Sequence, residues 1–390
     1  MGNPKEIIDS LMRGKPAERM GLIGSPWQDT YVKWVHQGYP TRLVTKQSGD
    51  TYWDAEDGNW YDVTTAGEYL EPIPAWEVFE YDMLGVSPWF EFEPIRNYKV
   101  VIEETDDWAV YENGAGAHLK YWKHKMGTPE HIAFKMTTRE VWEKDYRQHV
   151  VDFDPMRFDL RKMRDNYQKG MNANRWVHMG HMFVWEGMRQ SMGDITLYES
   201  LLLDPAWVHD YNRVYTDFFK KAFQYMFEQI GLPHGIWLYE DLGYKNGIFA
   251  SPRVFKNLIF PYYAEMVDFF HSFDLPVVLH SCGSVAQAMP LIIEVGFDAL
   301  NPIERKADHN DPFVFAEQYS DKLAFIGALD VRVLETNDKQ VIQKETRALL
   351  DGMKSRNARF VFCEDHSLPP TIRLDSYYWM LDTFHRCKQY

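Results

Sequence analysis

Residues 276–304, PVVLHSCGSVAQAMPLIIEVGFDALNPIE, decide the fold. The stretch opens with an apolar run at 277–279 that is typical of a buried parallel strand and ends at His280 and Cys282. The middle of the stretch has helical spacing, and its last residues, GFDALNPIE, predict a second buried strand ending at Glu304. A strand, a helix and another strand in immediate succession predict a parallel βαβ unit.

Apolar segments of the same kind alternate with helical patterns along the rest of the chain. Eight are predicted as strands, at residues 20–23, 81–85, 175–179, 235–239, 277–279, 299–301, 324–327 and 360–363. Long helices are predicted at residues 205–230, 252–273 and 337–355. This alternation predicts an α/β fold in the form of a (β/α)8 TIM barrel, with a doubly wound sheet as the alternative.

Residues able to do chemistry follow the ends of these predicted strands. They are His178 and His181, Glu240 and Asp241, His280 and Cys282, Glu304, Asp330, and the run from Cys363 to His366. In a barrel the carboxyl ends of all strands meet at one mouth, where the active site lies. A doubly wound sheet would spread the same residues along an edge, so their placement favours the barrel.

The N-terminal part of the chain departs from the alternation of strands and helices. Residues 46–70 mix aspartates, glycine and asparagine with aromatic residues, and we predict irregular structure there with one or two short helices. Residues 83–127 alternate in polarity between turn signals, which predicts an inserted β-meander or lid. We therefore expect one barrel domain over residues 1–390 that carries this insert.

The composition narrows the class of protein. The chain has 42 Lys and Arg against 57 Asp and Glu, a net charge of −15 without a basic block, which argues against nucleic-acid binding. No apolar run approaches the ~18 residues of a membrane span, and the N-terminus lacks the apolar segment of a secretory signal. Three cysteines are too few for a disulfide framework. We expect a cytoplasmic protein, and a homo-oligomer is compatible with the sequence.

The clearest chemical signal is the His-x-Cys pair. On an extended strand end, His280 and Cys282 point to the same side, and an imidazole with a thiol suits zinc. Cys363 offers a third ligand, and Glu304 either a fourth or an open position, which is typical of a catalytic zinc site. The alternative is that the two cysteines are core thiols and the histidine is simply hydrogen-bonded.

Several segments resemble the uroporphyrinogen decarboxylase-like superfamily. They are residues 21–40, 239–263, 279–304, 323–334 (LAFIGALDVRVL) and 360–370 (FVFCEDHSLPP), so the resemblance spans almost the whole chain. Within the superfamily the chain is most similar to the cobalamin-dependent methyltransferases, whose barrel holds zinc through a His-x-Cys…Cys set. The resemblance implies His280, Cys282 and Cys363 as ligands, and similarity to cobalamin-independent methionine synthase adds Glu304.

The resemblance also implies an activity. It points to transfer of a methyl group from a small donor, best matched by a methoxylated aromatic, to the Co(I) corrinoid of a separate corrinoid protein. The alternatives are a methylcobamide:thiol methyltransferase, a metal-free decarboxylase, and a non-catalytic barrel that binds a corrinoid or tetrapyrrole. Members of the decarboxylase branch bind the carboxylates of their substrate through an N-terminal pair of arginines. The matching residues 21–27 contain no arginine, which argues against decarboxylation of a porphyrinogen.

Further roles follow from position near the expected mouth. We expect acid–base or supporting groups from Glu240, Asp241, Asp330 and His366. We expect substrate contacts from Trp27, His178, His181, Trp185, Tyr239 and Tyr244. For the carboxylates the alternative is capping of the loops, and for the aromatic residues it is packing of the core.

Overall fold

The computed structural model describes residues 2–86, 89–123 and 128–390. Its central feature is an eight-stranded parallel sheet whose strands we number in chain order. They are β1 Gly21–Leu22, β2 Met83–Gly85, β3 Trp176–Met182, β4 Gly235–Tyr239, β5 Val277–His280, β6 Ala299–Asn301, β7 Ala324–Leu329 and β8 Phe360–Glu364. All eight predicted strands are confirmed.

The sheet closes into a barrel through Asp82. Neighbours run in chain order from β2 to β8, and β8 pairs with β1. Between β1 and β2, Asp82 N donates to Leu22 O at 2.8 Å, while Leu22 N donates to the Asp82 carboxylate at 2.9 Å. Arg19 forms a buried ion pair with the same carboxylate at 2.7 Å. The predicted (β/α)8 barrel is therefore confirmed.

Helices surround the barrel, and several begin at a proline preceded by a capping side chain. They are α1 Pro4–Met12, α2 Gln28–Val35, α3 Ala75–Val78, α4 Arg139–Val141, α5 Arg147–Val151, α6 Leu160–Asn172, α7 Val184–Leu203, α8 Pro205–Ile230, α9 Pro252–Leu258, α10 Phe260–His271, α11 Met289–Val295, α12 Pro312–Tyr319, α13 Val331–Glu335, α14 Lys339–Lys354 and α15 Leu374–Cys387. A π-helical turn, Trp142–Tyr146, joins α4 to α5, and a 3₁₀ turn spans Pro155–Arg157. In the described ranges, no helix is both long and apolar enough to cross a bilayer.

Alternation along the strands separates two apolar layers. Val278 of β5 and Val361 of β8 belong to the cluster inside the barrel, whereas Leu279 packs in the layer between strands and helices. Because side chains alternate with period two, His280 points to the same side of its strand as Val278. Cys363 likewise follows Val361 by two residues and lies in the interior cluster. The strand pattern thus directs both side chains inward.

Two antiparallel hairpins precede β2. Strands Thr41–Lys46 and Gly67–Pro72 pair with each other, and they enclose a second pair, Thr51–Trp53 with Trp60–Asp62. The prediction of irregular structure with short helices at residues 46–70 is wrong. Its aspartates and glycine form the inner turn, and its aromatic residues pair across strands, as in Trp53 against Trp60 at 6.3 Å between rings.

A four-stranded antiparallel sheet follows β2. Its strands are Lys99–Glu104, Trp108–Asn113, Ala117–Trp122 and Glu130–Phe134. The insert predicted at residues 83–127 overlaps this sheet, but its first residues are barrel strand β2. Residues 87–88 and 124–127 of that prediction lie outside the described residues. This sheet contacts α7, which begins at the barrel mouth.

Candidate metal centre at the barrel mouth

Three side chains converge where β4 and β5 end. Asp241, His280 and Cys282 each offer a ligand atom, and these atoms lie within 4.8 Å of one another. Cys282 Sγ is 3.5 Å from His280 Nε2, and Asp241 Oδ1 is 3.9 Å from the same nitrogen. Among the residues the structure describes, no other set of His, Cys, Asp or Glu side chains is gathered in this way. We call these three residues the metal group.

The imidazole of His280 has a fixed orientation. Its Nδ1 lies 2.6 Å from Asn301 Oδ1, and Asn301 Nδ2 donates to Ile326 O at 3.3 Å, which sets the direction of the amide. A proton on Nδ1 therefore donates to Asn301 and leaves the Nε2 lone pair facing Cys282 and Asp241. Metal-binding histidines are typically held in this manner through their second nitrogen.

Asp241 connects the loops that follow β4 and β5. Its Oδ1 accepts a hydrogen bond from Cys282 N at 2.8 Å, which brings the carboxylate beside the thiol. One nitrogen, one sulfur and one carboxylate are a ligand set that zinc accepts. Three protein ligands leave a coordination position open, as catalytic zinc sites do.

Burial favours the neutral forms of the His280 imidazole and the Cys282 thiol. It lowers the pKa of His280, against the opposing charge of Asp241. It raises the pKa of the Cys282 thiol, and the carboxylates of Asp241 and Glu304 add to that rise. A divalent cation would reverse the balance by stabilising the thiolate, so the donor set fits a metal ion.

The two other predicted ligands are not gathered with this group. Glu304 Oε2 accepts a hydrogen bond from Gly283 N at 2.6 Å, and its Oε1 pairs with Lys306 at 3.0 Å. Cys363, only 5% exposed, packs in the barrel interior and pairs with Ala328 of β7. The structure thus brings two of the four predicted ligands together and adds Asp241.

A cavity of about 450 Å³ opens beside Cys282. Its lining comes from the loops after β4 to β7 and consists of Gly243, Tyr244, Lys245, Cys282, Gly283, Glu304, Lys306, Ala307 and Arg332. This volume is in the range of small-molecule sites. The metal group therefore borders a space that accommodates a small ligand.

Glu240 faces away from the cavity and holds the start of α7. Its carboxylate accepts hydrogen bonds from Phe183 N at 2.7 Å, Trp185 N at 2.7 Å and Tyr263 Oη at 2.6 Å. Burial raises the pKa of Glu240 to about 8, although these hydrogen bonds oppose the shift. Its contacts are those of a capping carboxylate and do not match the acid–base role expected for it.

Other carboxylates at the mouth also bind backbone N–H groups. Asp330 caps α13 through Arg332 N at 2.9 Å, and the Arg332 guanidinium lowers the pKa of Asp330 against the effect of burial. Asp365 accepts from Arg305 N and Val331 N at 3.0 and 2.9 Å, which joins the loops after β6, β7 and β8. His366 is exposed. Of the four expected acid–base residues, only Asp241 belongs to the metal group.

Three of the predicted substrate contacts lie at or near the mouth. The Tyr239 ring is 5.2 Å from the His280 ring, and Tyr244, 47% exposed, lines the cavity. Trp27, 40% exposed, precedes α2 in the loop after β1. Substrate contact by Tyr239 and Tyr244 stays a prediction.

The other three predicted substrate contacts are buried elsewhere. His178 stacks on Trp237 at 4.9 Å inside the barrel. His181 points outward to Phe90, whose carbonyl oxygen is 2.9 Å from Nε2, because it lies an odd number of residues from His178 along β3. Trp185 is fully buried and donates from Nε1 to Asp241 O at 2.7 Å. None of the three lines the cavity.

Sequence reasoning missed several residues of the site. Asn301, which orients His280, and the cavity cations Lys245, Lys306 and Arg332 were not singled out. A signal was available, because all four lie at or shortly after the end of a predicted strand, where a barrel places its functional loops.

Residues 196–387 match the family described as uroporphyrinogen decarboxylase (URO-D). This half of the chain contains β4 to β8, and with them the whole metal group. The chain thus combines a parallel α/β barrel with a candidate metal centre at the mouth of the barrel. The match agrees with the resemblance of the sequence to the uroporphyrinogen decarboxylase-like superfamily.

One solved structure has a fold similar to that of this chain over almost the whole length of both chains. A methyltransferase from Methanosarcina mazei is similar with a TM-score of 0.64 and 10% identity, over 99% of this chain and 99% of that chain. A β-mannanase from the blue mussel Mytilus edulis has a TM-score of 0.36 and 10% identity, over 60% of this chain and 75% of that chain. At such identities a likeness shows the fold alone. No curated protein matches the chain in sequence.

Proposed function

We propose that this protein is a zinc-dependent methyltransferase that passes a methyl group from a small methylated donor to the Co(I) corrinoid of a separate corrinoid protein. The observation that carries the proposal is the convergence of Asp241, His280 and Cys282 beside the cavity. The family match of residues 196–387 supports it, and so does the resemblance of the sequence to the cobalamin-dependent branch.

The ion would be held by His280 and Cys282, completed either by Asp241, which the geometry offers, or by Glu304 and Cys363, which the resemblance implies. The pairing of His280 Nδ1 with Asn301 leaves Nε2 as the coordinating atom. A bound zinc ion would supply Lewis acidity toward the heteroatom that carries the methyl group. Glu304 lines the same cavity as Cys282, so it is placed to respond to an incoming donor.

The best-supported donor is a methoxylated aromatic. The O–CH₃ bond would break with its electron pair left on oxygen, while Co(I) supplies the pair for the new bond to carbon. Tyr239 and Tyr244 present rings near His280 and in the cavity wall, where a flat donor can pack. Lys306 lines the cavity, and its ammonium, which pairs with Glu304, would also donate to the departing oxyanion.

The test uses the zinc-loaded protein, a Co(I) corrinoid protein and a panel of methoxylated aromatics, methanol and methylamines. We expect the Co(I) absorbance to disappear with methoxylated aromatics and the rate to fall at least ~100-fold in His280→Ala. Absence of corrinoid methylation from every donor would contradict the proposal. Demethylation of a methylated corrinoid by thiols would instead favour the methylcobamide:thiol alternative.

A further inference from the structure

The wall of the cavity beside Cys282 is cationic, in a chain whose net charge is −15. Lys245, Lys306 and Arg332 all line the cavity, and Glu304 is its one acidic lining residue. Two of the cations are neutralised, since Lys306 pairs with Glu304 at 3.0 Å and Arg332 with Asp330 through both carboxylate oxygens. Lys245 is exposed, lines the cavity and has no ion-pair partner in the described part of the chain, so its charge is not neutralised by a neighbouring carboxylate.

The segment that carries Lys245 is anchored. Lys245 O accepts a hydrogen bond from Asp308 N at 2.8 Å, and Asn246 Nδ2 donates to Asp308 Oδ2 at 2.9 Å. On the other side, Ser284 N donates to Tyr244 O at 2.8 Å, which fixes the wall against the loop of Cys282.

We infer that the ligand of this cavity is a small carboxylate whose anionic head binds Lys245. This inference rests on the proposed function, which says what the other end of the ligand does: it carries or receives the methyl group near Cys282. Tyr244, beside Lys245, lines the same cavity and supplies a surface for an aromatic ring. If a neutral ligand of the same shape bound instead, the Lys245 ammonium would have no bound anion.

The test is calorimetric binding of 3-methoxybenzoate, its neutral analogue 3-methoxybenzyl alcohol, and 3-mercaptopropionate to the zinc-loaded protein. We expect one carboxylate probe to bind at least ~10-fold more weakly to Lys245→Met and to recover in Lys245→Arg, while the neutral probe is insensitive to both changes. Lys256→Met is the matched control, because Lys256 pairs with Glu294 on the helical surface. If the affinity for 3-methoxybenzoate depends on Lys245, the natural ligand is a methyl donor. If the affinity for 3-mercaptopropionate depends on it, the natural ligand is a methyl acceptor.

Equal affinity of wild type and Lys245→Met for both carboxylates, or no binding of either, would overturn the inference. Its failure is distinguishable from that of the proposed function. If Lys245 governs carboxylate binding but no corrinoid is methylated, the anion site stands and the proposed function fails. If corrinoid is methylated equally well by wild type and Lys245→Met from neutral and anionic donors, the function stands and the anion site fails.

Discussion

The orientation of His280 decides what the metal group can do. Asn301 holds one ring nitrogen at 2.6 Å, so the other nitrogen faces Cys282 and Asp241 as an acceptor. The backbone N–H of Cys282 holds the Asp241 carboxylate in turn at 2.8 Å. Hydrogen bonds to Asn301 and from the Cys282 backbone therefore position the imidazole and the carboxylate, as in preorganised metal sites.

Substitution of Asp241 tests this arrangement. We expect Asp241→Ala to lower zinc affinity by at least ~10-fold, because the ion would lose a carboxylate ligand. Zinc per protein chain, measured by mass spectrometry after dialysis against a chelator, gives the result. Cys387→Ser is the control, since this buried thiol lies at the end of α15. Full zinc retention in Asp241→Ala with loss in Cys363→Ala would instead favour the ligand set that the resemblance implies.

The sequence indicated His280 and Cys282 as a pair because their spacing is local. It did not separate the roles of Glu240 and Asp241, since both follow the same strand. The structure separates them by direction: Glu240 turns to the N-terminus of α7, and Asp241 turns to the loop after β5. Such a choice depends on tertiary contacts that spacing along the chain does not contain.

At the scale of the elements, carboxylates tie the loops of the mouth together. Glu240 binds the loop after β3, Asp241 and Glu304 bind the loop after β5, and Glu364 accepts from Ser25 N in the loop after β1. Each satisfies backbone N–H groups that would otherwise be buried without partners. This need explains why acidic residues recur at strand ends even where they do not face the cavity.

Glu240→Gln tests the capping role. In either orientation the glutamine N–H₂ faces a backbone N–H, that of Phe183 or that of Trp185, so we expect the free energy of unfolding to fall by about 2 kcal/mol. Urea unfolding followed by circular dichroism measures it. Glu228→Gln on the exposed side of α8 serves as the control, because its carboxylate only accepts from Gln224 one turn away. Equal stability of the two variants would contradict the capping role.

The pair of His271 with Asp298 gives a pH dependence. The hydrogen bond from Asp298 raises the pKa of His271 above its ordinary value of 6.5. The pair therefore stabilises the fold fully below pH ~6.5, and its contribution disappears as the pH rises through the higher folded-state pKa. We expect His271→Gln to lower the free energy of unfolding at pH 5.5 by up to ~0.5 kcal/mol for this half-exposed pair. Urea unfolding at pH 5.5 and 9 checks it, and an equal loss at both values would contradict the assignment.

The strands were predicted correctly where burial on both faces alone determines the pattern of apolar residues. The strands β4 and β6 begin and end where their apolar runs do, because parallel strands covered on both faces need continuous apolar residues. The hairpins at Thr41–Pro72 were missed because their strands are largely exposed, and cross-strand aromatic pairs replace a buried face. The predicted helix at residues 252–273 is two helices, since Pro261 removes a backbone donor at the start of α10.

At the scale of the whole molecule, one buried ion pair secures the closure of the barrel. Arg19 and Asp82 are joined by two hydrogen bonds of 2.7 Å between the ends of the parallel sheet. Their positions are 63 residues apart, with the hairpins between them. Nothing in the local pattern marks either residue, so the sequence predicted a barrel without predicting what closes it.

Asp82→Ala tests the closure. Removal of one partner leaves a buried guanidinium without its counter-charge, so we expect a loss of about 3–5 kcal/mol in the free energy of unfolding. Glu294→Ala is the matched control, because its ion pair with Lys256 is exposed and is worth at most about 1 kcal/mol. Thermal and urea unfolding measure both variants. A loss in Asp82→Ala no larger than in the control would contradict the role of this pair.

The proposed activity depends most on a metal ion held at the mouth by side chains from separate strands. X-ray absorption spectroscopy of the zinc-loaded protein measures the ligands of that ion directly. We predict sulfur at about 2.3 Å together with nitrogen or oxygen at about 2.0–2.1 Å, and a weaker sulfur shell in Cys282→Ser. Failure to bind zinc, or a zinc ion surrounded only by nitrogen and oxygen in the unsubstituted protein, would contradict the account.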